Sequence, residues 1–208
     1  MIVKTIVVII SLIASNAYAE ILSEPPEQVN QEAKYFFFGH GAGLYKNYAD
    51  RARENWQDKV NAIEDLGFIM ITEERERGGD DDYALKIAEW IDTLTDKGVP
   101  AKNIYVGGYS RGARLAIAVS DIVSNNQINY FLLAGCYHND EFGADIKGRI
   151  LSVYDDGDSL FSPCADFITN NHDINFKEIV VNSGYEHGMG ASVRDDWMEP
   201  LVAWLKNQ

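Results

Sequence analysis

Basic residues are scarce in this chain of 208 residues, in which 18 Lys and Arg stand against 32 Asp and Glu and give a net charge of −14. A surface of this sign repels phosphate groups, so nucleic acids and anionic membranes are not expected as partners. The sequence also lacks an apolar run as long as the roughly 18 residues of a membrane-spanning helix. It lacks linkers and internal repeats too, and its length suits a single domain.

The N-terminus has the organisation of a secretory signal peptide. Lys4 precedes an apolar stretch at residues 6–13, and Ala17-Tyr18-Ala19 forms a small-x-small cleavage site. We expect cleavage after Ala19 and a mature domain over residues 20–208, with a net charge of −15 because Lys4 is the only charged residue of the leader. The cleavage site has no cysteine for a lipoprotein anchor, so a secreted or periplasmic protein is expected. A buried N-terminal strand is the alternative.

The chain has only two cysteines, Cys136 and Cys164, and both fall in loops expected to follow strands of one sheet. In an exported chain this favours a disulfide bond. Closing that loop would stabilise the fold by about 3 to 4 kcal/mol in the chain-entropy model. Two buried free thiols are the alternative.

Segments with strand character alternate with segments with helix character along the mature chain. The expected strands are residues 35–38, 68–72, 103–106, 128–134, 150–154 and 176–181. The expected helices are residues 45–66, 82–97, one that ends near 124, 163–170, and one that begins at Met198 or Glu199 because Pro200 suits a first turn. The alternation predicts an α/β fold, a three-layer sandwich with a mainly parallel sheet of about six strands.

The segment Gly108-Tyr109-Ser110-Arg111-Gly112 lies between the third expected strand and the helix that follows it. This is the spacing of a nucleophile elbow, in which a serine sits on a sharp turn and flanking glycines make room for the tight backbone. The five-residue pattern alone also occurs by chance, but strand, turn and helix follow here in the required order. We therefore predict that Ser110 is a nucleophile. A serine that only caps the helix is the alternative.

A serine nucleophile needs a base, and His187 lies in a glycine-rich loop between the last strand and the last helix, from which it could reach Ser110. His138, after the strand that follows the elbow, is the nearest alternative. His172 ends an expected helix, where a cation interacts favourably with the helix dipole. We expect His40, in the loop after the first strand, to be structural.

The acid that orients the base is expected among Asp155, Asp156 and Asp158, which follow one strand. Asp158 lies beyond a glycine turn that can lift its carboxylate towards the histidine loop, whereas Asp155 and Asp156 suit turn positions. A calcium loop is the competing hypothesis, but the run lacks the later glycine and the glutamate of an EF-hand. We expect no metal and no other cofactor.

The chain order Ser110, Asp158, His187, each after a successive strand, resembles the α/β-hydrolase family over nearly the whole mature chain. His40-Gly41-Ala42-Gly43 resembles the His-Gly oxyanion loop of that family. The resemblance implies that the backbone N–H groups of Ala42 and Arg111 hold the oxyanion. Within that family the sequence resembles compact members without a lid, of dienelactone-hydrolase and cutinase size. No strand pair is expected before residue 35, and no helical insertion is expected between residues 134 and 150.

Arg111 is the main indication of the substrate, since a guanidinium next to the nucleophile can bind an anionic group. The favoured alternative is that Arg111 pairs with the acidic cluster at residues 155–158. Tyr45, Tyr109 and Tyr185 are candidate cleft residues, although aromatic residues near strand ends often only pack. Residues 73–79 could rim a polar pocket or form a solvated loop.

Together these features predict an exported, monomeric serine hydrolase. We expect a carboxylic-ester hydrolase that forms an acyl-enzyme with a small or medium soluble ester. The alternatives are a peptidase or thioesterase with the same triad, and a binding protein that retains the fold without catalysis.

Overall fold

The computed structural model describes residues 21–46, 55–137, 146–160, 163–168 and 174–207. The expected signal peptide, His138 and His172 lie outside these residues. The strands are β1 (Ile21–Leu22), β2 (Lys34–Gly39), β3 (Phe68–Ile71), β4 (Ile104–Tyr109), β5 (Asn129–Leu133), β6 (Arg149–Asp155) and β7 (Asn175–Val181). The helices are α1 (Trp56–Glu64), α2 (Asp80–Asp96), α3 (Arg111–Val123), α4 (Ala165–Ile168) and α5 (Asp195–Lys206).

All seven strands form one parallel sheet in the order β1-β3-β2-β4-β5-β6-β7. The predicted α/β fold is confirmed, with seven strands where about six were expected. The additional strand is β1, which has only two residues and is therefore too short to show a strand pattern in the sequence. The strand order reverses between β2 and β4, and in open α/β sheets ligands bind at the carboxyl ends of the strands at such a point.

Helices cover both faces of the sheet, as the buried strands at its centre require. In β2, Tyr35 and Phe37 face one core cluster and Phe36 and Phe38 face the other, because side chains alternate along a strand. Apolar residues of α2 and α3 complete the first cluster, and those of α1 and α5 complete the second. Within the described ranges, no helix is long and apolar enough to cross a membrane.

Two helices begin three or more residues away from their expected starts, and the starts of α2 and α4 differ by two residues. Tyr45 has an extended backbone conformation and only ends a short 3-10 helix, Ala42–Leu44, so the expectation of a long helix from residue 45 was wrong at its start. The last helix begins at Asp195 rather than at Met198 or Glu199, with Pro200 inside it. Its buried face consists of Trp197, Leu201 and Trp204 and so begins before the proline. The burial of Trp197 therefore outweighs the cost of the backbone hydrogen bond that Pro200 cannot donate.

Cys136 and Cys164 form the expected disulfide bond, with their Cα atoms 5.3 Å apart. It joins the segments that follow β5 and β6, and both residues are buried. The carboxylate of Glu178 in β7 accepts the N–H groups of Cys164 (2.7 Å) and Ala165 (3.2 Å) and so anchors the start of α4 to the sheet.

We predict that replacing both cysteines by alanine lowers the free energy of unfolding by about 3 to 4 kcal/mol, because the bond closes a loop over a sequence separation of 28 residues. Urea unfolding of both proteins, with and without dithiothreitol, measures this. Reductant should destabilise the native protein and leave the double variant unchanged, since the chain has no other cysteine. Equal stability of the two proteins would contradict the prediction.

Candidate active site

Ser110 lies between β4 and α3, at the centre of the sheet with three strands on either side. Its backbone has φ 55° and ψ −116°, a conformation that is strained for any residue with a side chain. Its N–H donates to the carbonyl oxygen of Leu133 (2.8 Å), which ties the turn to the neighbouring strand. This is the geometry of a nucleophile elbow, in which the strained turn raises the hydroxyl above the strand ends.

Glycines let three pieces of backbone meet beneath this turn. A Cβ on Gly112 would overlap the carbonyl group of Gly39 at the end of β2, and a Cβ on Gly108 would overlap the same oxygen. The start of α3 therefore packs directly on the end of β2, and only glycine permits this distance.

The three residues predicted as a catalytic triad form one hydrogen-bonded chain. His187 Nε2 lies 3.1 Å from Ser110 Oγ, and His187 Nδ1 lies 2.8 Å from Asp158 Oδ2. The Asp158 side chain is 1% exposed, and its Oδ1 accepts the N–H of Leu160 (3.0 Å). A carboxylate at Nδ1 holds the proton on that nitrogen and leaves the lone pair of Nε2 directed at the serine.

Asp155 anchors the segment that leads to His187. Its Oδ1 accepts the N–H of Gly157 (2.8 Å), and its Oδ2 accepts both the N–H (2.8 Å) and the hydroxyl of Ser183. Burial alone would raise the pKa of Asp155, but the hydrogen bonds from Ser183 and Gly157 outweigh it and lower the pKa below the ordinary value. Asp155 is thus the turn residue that the sequence indicated, with a further bond to the histidine loop.

The histidine loop rests on Tyr109 and Lys59. Tyr109 donates its hydroxyl to the carbonyl oxygen of His187 (2.8 Å), and its ring stacks on the imidazole at 5.2 Å between centroids. Lys59 is fully buried, donates to the carbonyl oxygen of Gly190 (2.8 Å) and lies 4.7 Å from the centre of the Tyr109 ring. These contacts hold both ends of the short helix Glu186–Gly190 that carries His187.

The two expected oxyanion donors each begin a helical turn. Ala42 starts the 3-10 helix after β2, and Arg111 starts α3. The first N–H groups of a helix have no acceptor within it and are available to an anion. Both residues line one cavity of about 320 Å³, together with Tyr45, Arg77 and Gly78.

His40 is structural in its contacts. It is fully buried, its Nδ1 lies 2.7 Å from the carbonyl oxygen of Gly41, and its Nε2 accepts the N–H of Arg75 (2.8 Å). Burial, and then the positive charge of Arg75, lowers the pKa of His40 to about 4. The imidazole is therefore neutral and joins the loop after β2 to the segment after β3.

Arg111 pairs with Asp80, so the expectation that it pairs with the cluster at residues 155–158 was wrong. Asp80 Oδ2 accepts from Arg111 Nη2 (2.8 Å) and from the hydroxyl of Tyr45 (2.6 Å). Asp80 Oδ1 lies 3.4 Å from Nη1 of the buried Arg75, which donates through Nη2 to the carbonyl oxygen of His40. The acidic cluster follows β6, on the opposite side of β4 from the loops that Arg111 contacts.

The two other tyrosines considered for the cleft differ in exposure. Tyr109 is 7% exposed and contacts His187, whereas Tyr185 is 55% exposed, with the guanidinium of Arg194 over its ring at 3.5 Å. Contact of either with a substrate stays a prediction.

Sequence reasoning missed Asp80, Arg75 and Lys59 as parts of the site. The run Asp80-Asp81-Asp82 lies at the start of the helix expected over residues 82–97, where acidic residues are favourable for the helix dipole alone, and α2 does begin there. Lys59 carried a usable signal, because it lies three residues after Trp56 and four before Ile63 and so falls on the apolar face of α1.

No protein-family model and no curated protein matches the sequence. Solved structures do. A protein of unknown function from Agrobacterium tumefaciens, proposed to be an α/β hydrolase, is 15% identical with a TM-score of 0.63 over 86% of each chain. SOBER1 of Arabidopsis thaliana is 15% identical with a TM-score of 0.57 over 84% of this chain and 98% of its own.

A lidless α/β serine hydrolase of Xanthomonas campestris is 13% identical with a TM-score of 0.59, over 89% of this chain and 86% of its own. At these identities the likeness concerns architecture. The chain has the α/β-hydrolase fold, as the order of its motifs predicted.

We predict that Gly112→Ala lowers the free energy of unfolding by about 3 kcal/mol or more, because the new methyl group overlaps the backbone of Gly39. Gly188→Ala is the matched control. Gly188 is exposed, and a Cβ there would meet no heavy atom of the described residues within 4 Å, so a change within about 0.5 kcal/mol is expected. Urea unfolding measures both variants, and equal stability would refute the close contact.

We also predict that stability falls as the pH is lowered from about 6.5 to about 4. The folded-state pKa of His40 lies below its ordinary 6.5, so the unfolded chain binds more protons than the folded chain between these two pH values. This difference lowers the free energy of unfolding by about 3 kcal/mol. His40→Gln should lack this part of the pH dependence. Urea unfolding at several pH values tests it, and parallel curves for both proteins would contradict it. Asp155 contributes only at lower pH, because its pKa lies below 3.8.

Proposed function

We propose that this chain is an exported serine hydrolase that cleaves carboxylic esters through an acyl-enzyme. The observation that carries the proposal is the hydrogen-bonded chain from Asp158 through His187 to Ser110, on a turn with the strained backbone of a nucleophile elbow. The α/β-hydrolase fold supports it, because such turns present nucleophiles at the carboxyl ends of its strands.

In the proposed reaction, Ser110 Oγ attacks the ester carbonyl carbon while His187 Nε2 accepts the hydroxyl proton. The carbonyl oxygen becomes an oxyanion, which the N–H groups of Ala42 and Arg111 stabilise. The tetrahedral intermediate collapses, the bond to the alkoxy oxygen breaks, and His187 gives its proton to the departing alcohol. Water then attacks the acyl-enzyme with His187 as base, releasing the carboxylic acid and restoring Ser110.

Asp158 has the orienting role in this scheme. Its buried carboxylate keeps the proton of His187 on Nδ1 and stabilises the imidazolium that forms during each proton transfer. No step needs a metal or another cofactor, since the nucleophile, base, acid and oxyanion donors are all groups of the chain.

The proposal includes a mature monomeric domain over residues 20–208, without a lid over the nucleophile. The disulfide bond between Cys136 and Cys164 supports export, because such bonds persist in oxidising compartments. The excess of acidic residues suits a soluble ester better than an anionic lipid interface.

We predict that Ser110→Ala abolishes both ester hydrolysis and labelling by a fluorophosphonate probe, because the probe bonds to the activated hydroxyl. Asp158→Asn should lower kcat by about 10³- to 10⁴-fold, since the amide favours the wrong tautomer of His187. Asp156→Asn is the matched control, since Asp156 is exposed on the same turn and its carboxylate accepts only from the Asn182 amide (3.2 Å) among the described contacts. Its kcat should stay within about threefold.

Folded native protein that the probe fails to label would sink the catalytic proposal and leave the binding-protein alternative. Equal losses for Asp156→Asn and Asp158→Asn would refute the assignment of Asp158. Matched ester, thioester and amide substrates then separate an esterase from a thioesterase or a peptidase by their kcat/KM values.

A further inference from the structure

The cavity beside the expected oxyanion donors is lined by positively charged side chains. Its lining consists of Ala42, Tyr45, Arg77, Gly78 and Arg111. Two of these five residues are arginines, and none carries a carboxylate, although the whole chain has nearly twice as many acidic as basic residues. A cationic cavity in an acidic protein concentrates anions locally while the rest of the surface repels them.

Arg111 is held in a fixed orientation at this cavity. Asp80 accepts from its Nη2, and its Nε donates to the hydroxyl of Tyr45 (3.3 Å), while the side chain remains 36% exposed. A guanidinium has five N–H donors, and these two bonds use two of them. Asp80 thus positions Arg111 without using its whole hydrogen-bonding capacity.

The topology indicates which half of an ester enters the cavity. Its lining comes from the segments after β2 and β3 and from the start of α3, whereas His187 follows β7 on the other side of β4. The leaving alcohol must lie next to His187 Nε2, which protonates it. With the carbonyl oxygen between Ala42 and Arg111, the acyl half extends away from His187 and into the cavity.

We propose that the acyl half of the substrate carries a carboxylate, which Arg111 and Arg77 bind. This deepens the proposed function and rests on it: the substrates are monoesters of short dicarboxylic acids. A volume of about 320 Å³ is at the lower end for small-molecule sites, which limits the acyl chain to a few carbons. A planar guanidinium suits a carboxylate because it can donate two parallel hydrogen bonds.

The test compares monomethyl glutarate with methyl 5-methylhexanoate, in which an isopropyl group replaces the carboxylate. The native protein should have a kcat/KM about tenfold or more higher for the anionic ester. Arg111→Gln and Arg77→Gln keep the backbone N–H groups. Each should lower kcat/KM for the anionic ester by about tenfold or more, mainly through a higher KM. The ratio of the two kcat/KM values, anionic over neutral, should therefore fall by about tenfold or more in each variant, because the neutral ester has no carboxylate for a guanidinium to bind.

Lys102→Gln is the matched control. It removes the same charge from an exposed residue in the turn Ala101–Asn103, at the amino end of β4 and so at the opposite edge of the sheet. Its preference for the anionic ester should equal that of the native protein. Arg77→Glu should reverse the preference, so that the neutral ester becomes the better substrate. We expect this variant to fold because Arg77 is exposed, and thermal unfolding verifies that it does.

Equal kcat/KM values for the two esters, or equal effects of the arginine variants on both, would overturn the inference while ester hydrolysis by Ser110 still stood. Absence of fluorophosphonate labelling and of hydrolysis of either ester would instead refute the proposed function, and the inference with it. Glutarate binding to Ser110→Ala, measured by calorimetry, gives a readout independent of catalysis, and it should be lost in Ser110→Ala/Arg111→Gln.

Discussion

The close contact between Gly39 and Gly112 is the constraint on which the candidate site depends. It brings the start of α3 against the end of β2, so that the loop after β2 lies next to the turn at Ser110 and the start of α3. A side chain at either position would separate these segments. The strained backbone of Ser110 is maintained because the packed sheet and helix on both sides determine it.

Buried charges then hold the loops that this contact brings together. On one side, Asp80 joins Arg75, Arg111 and Tyr45, and so connects the segments after β2, β3 and β4. On the other, Asp155 and Asp158 hold the histidine loop. Buried ionic groups are costly to desolvate, and such costs are commonly found at functional sites. Each of these carboxylates accepts two or three hydrogen bonds, which offsets that cost.

Patterns of local spacing predicted the elements well. The alternation of strands and helices, the glycine turn around Ser110 and the order of Asp158 and His187 all reflect short-range requirements, and the structure brings these three side chains into one hydrogen-bonded chain. The partner of Arg111 was predicted wrongly because Asp80 lies 31 residues away and meets it only through the packing of α2 beside α3. The start of α5 was misplaced for a similar reason, since the burial of Trp197 outweighs the local effect of Pro200.

The sequence by itself determined the α/β class and the glycine turn around Ser110, and it predicted the residue types of the candidate triad, because a tight turn requires glycine and proton transfer would require specific side chains at strand ends. Only the tertiary structure decided which carboxylate pairs with which cation. Ion pairs depend on the positions of side-chain tips, and these positions follow from how separate helices pack on the sheet. The same packing, rather than any motif, placed Arg77 and Arg111 around one cavity.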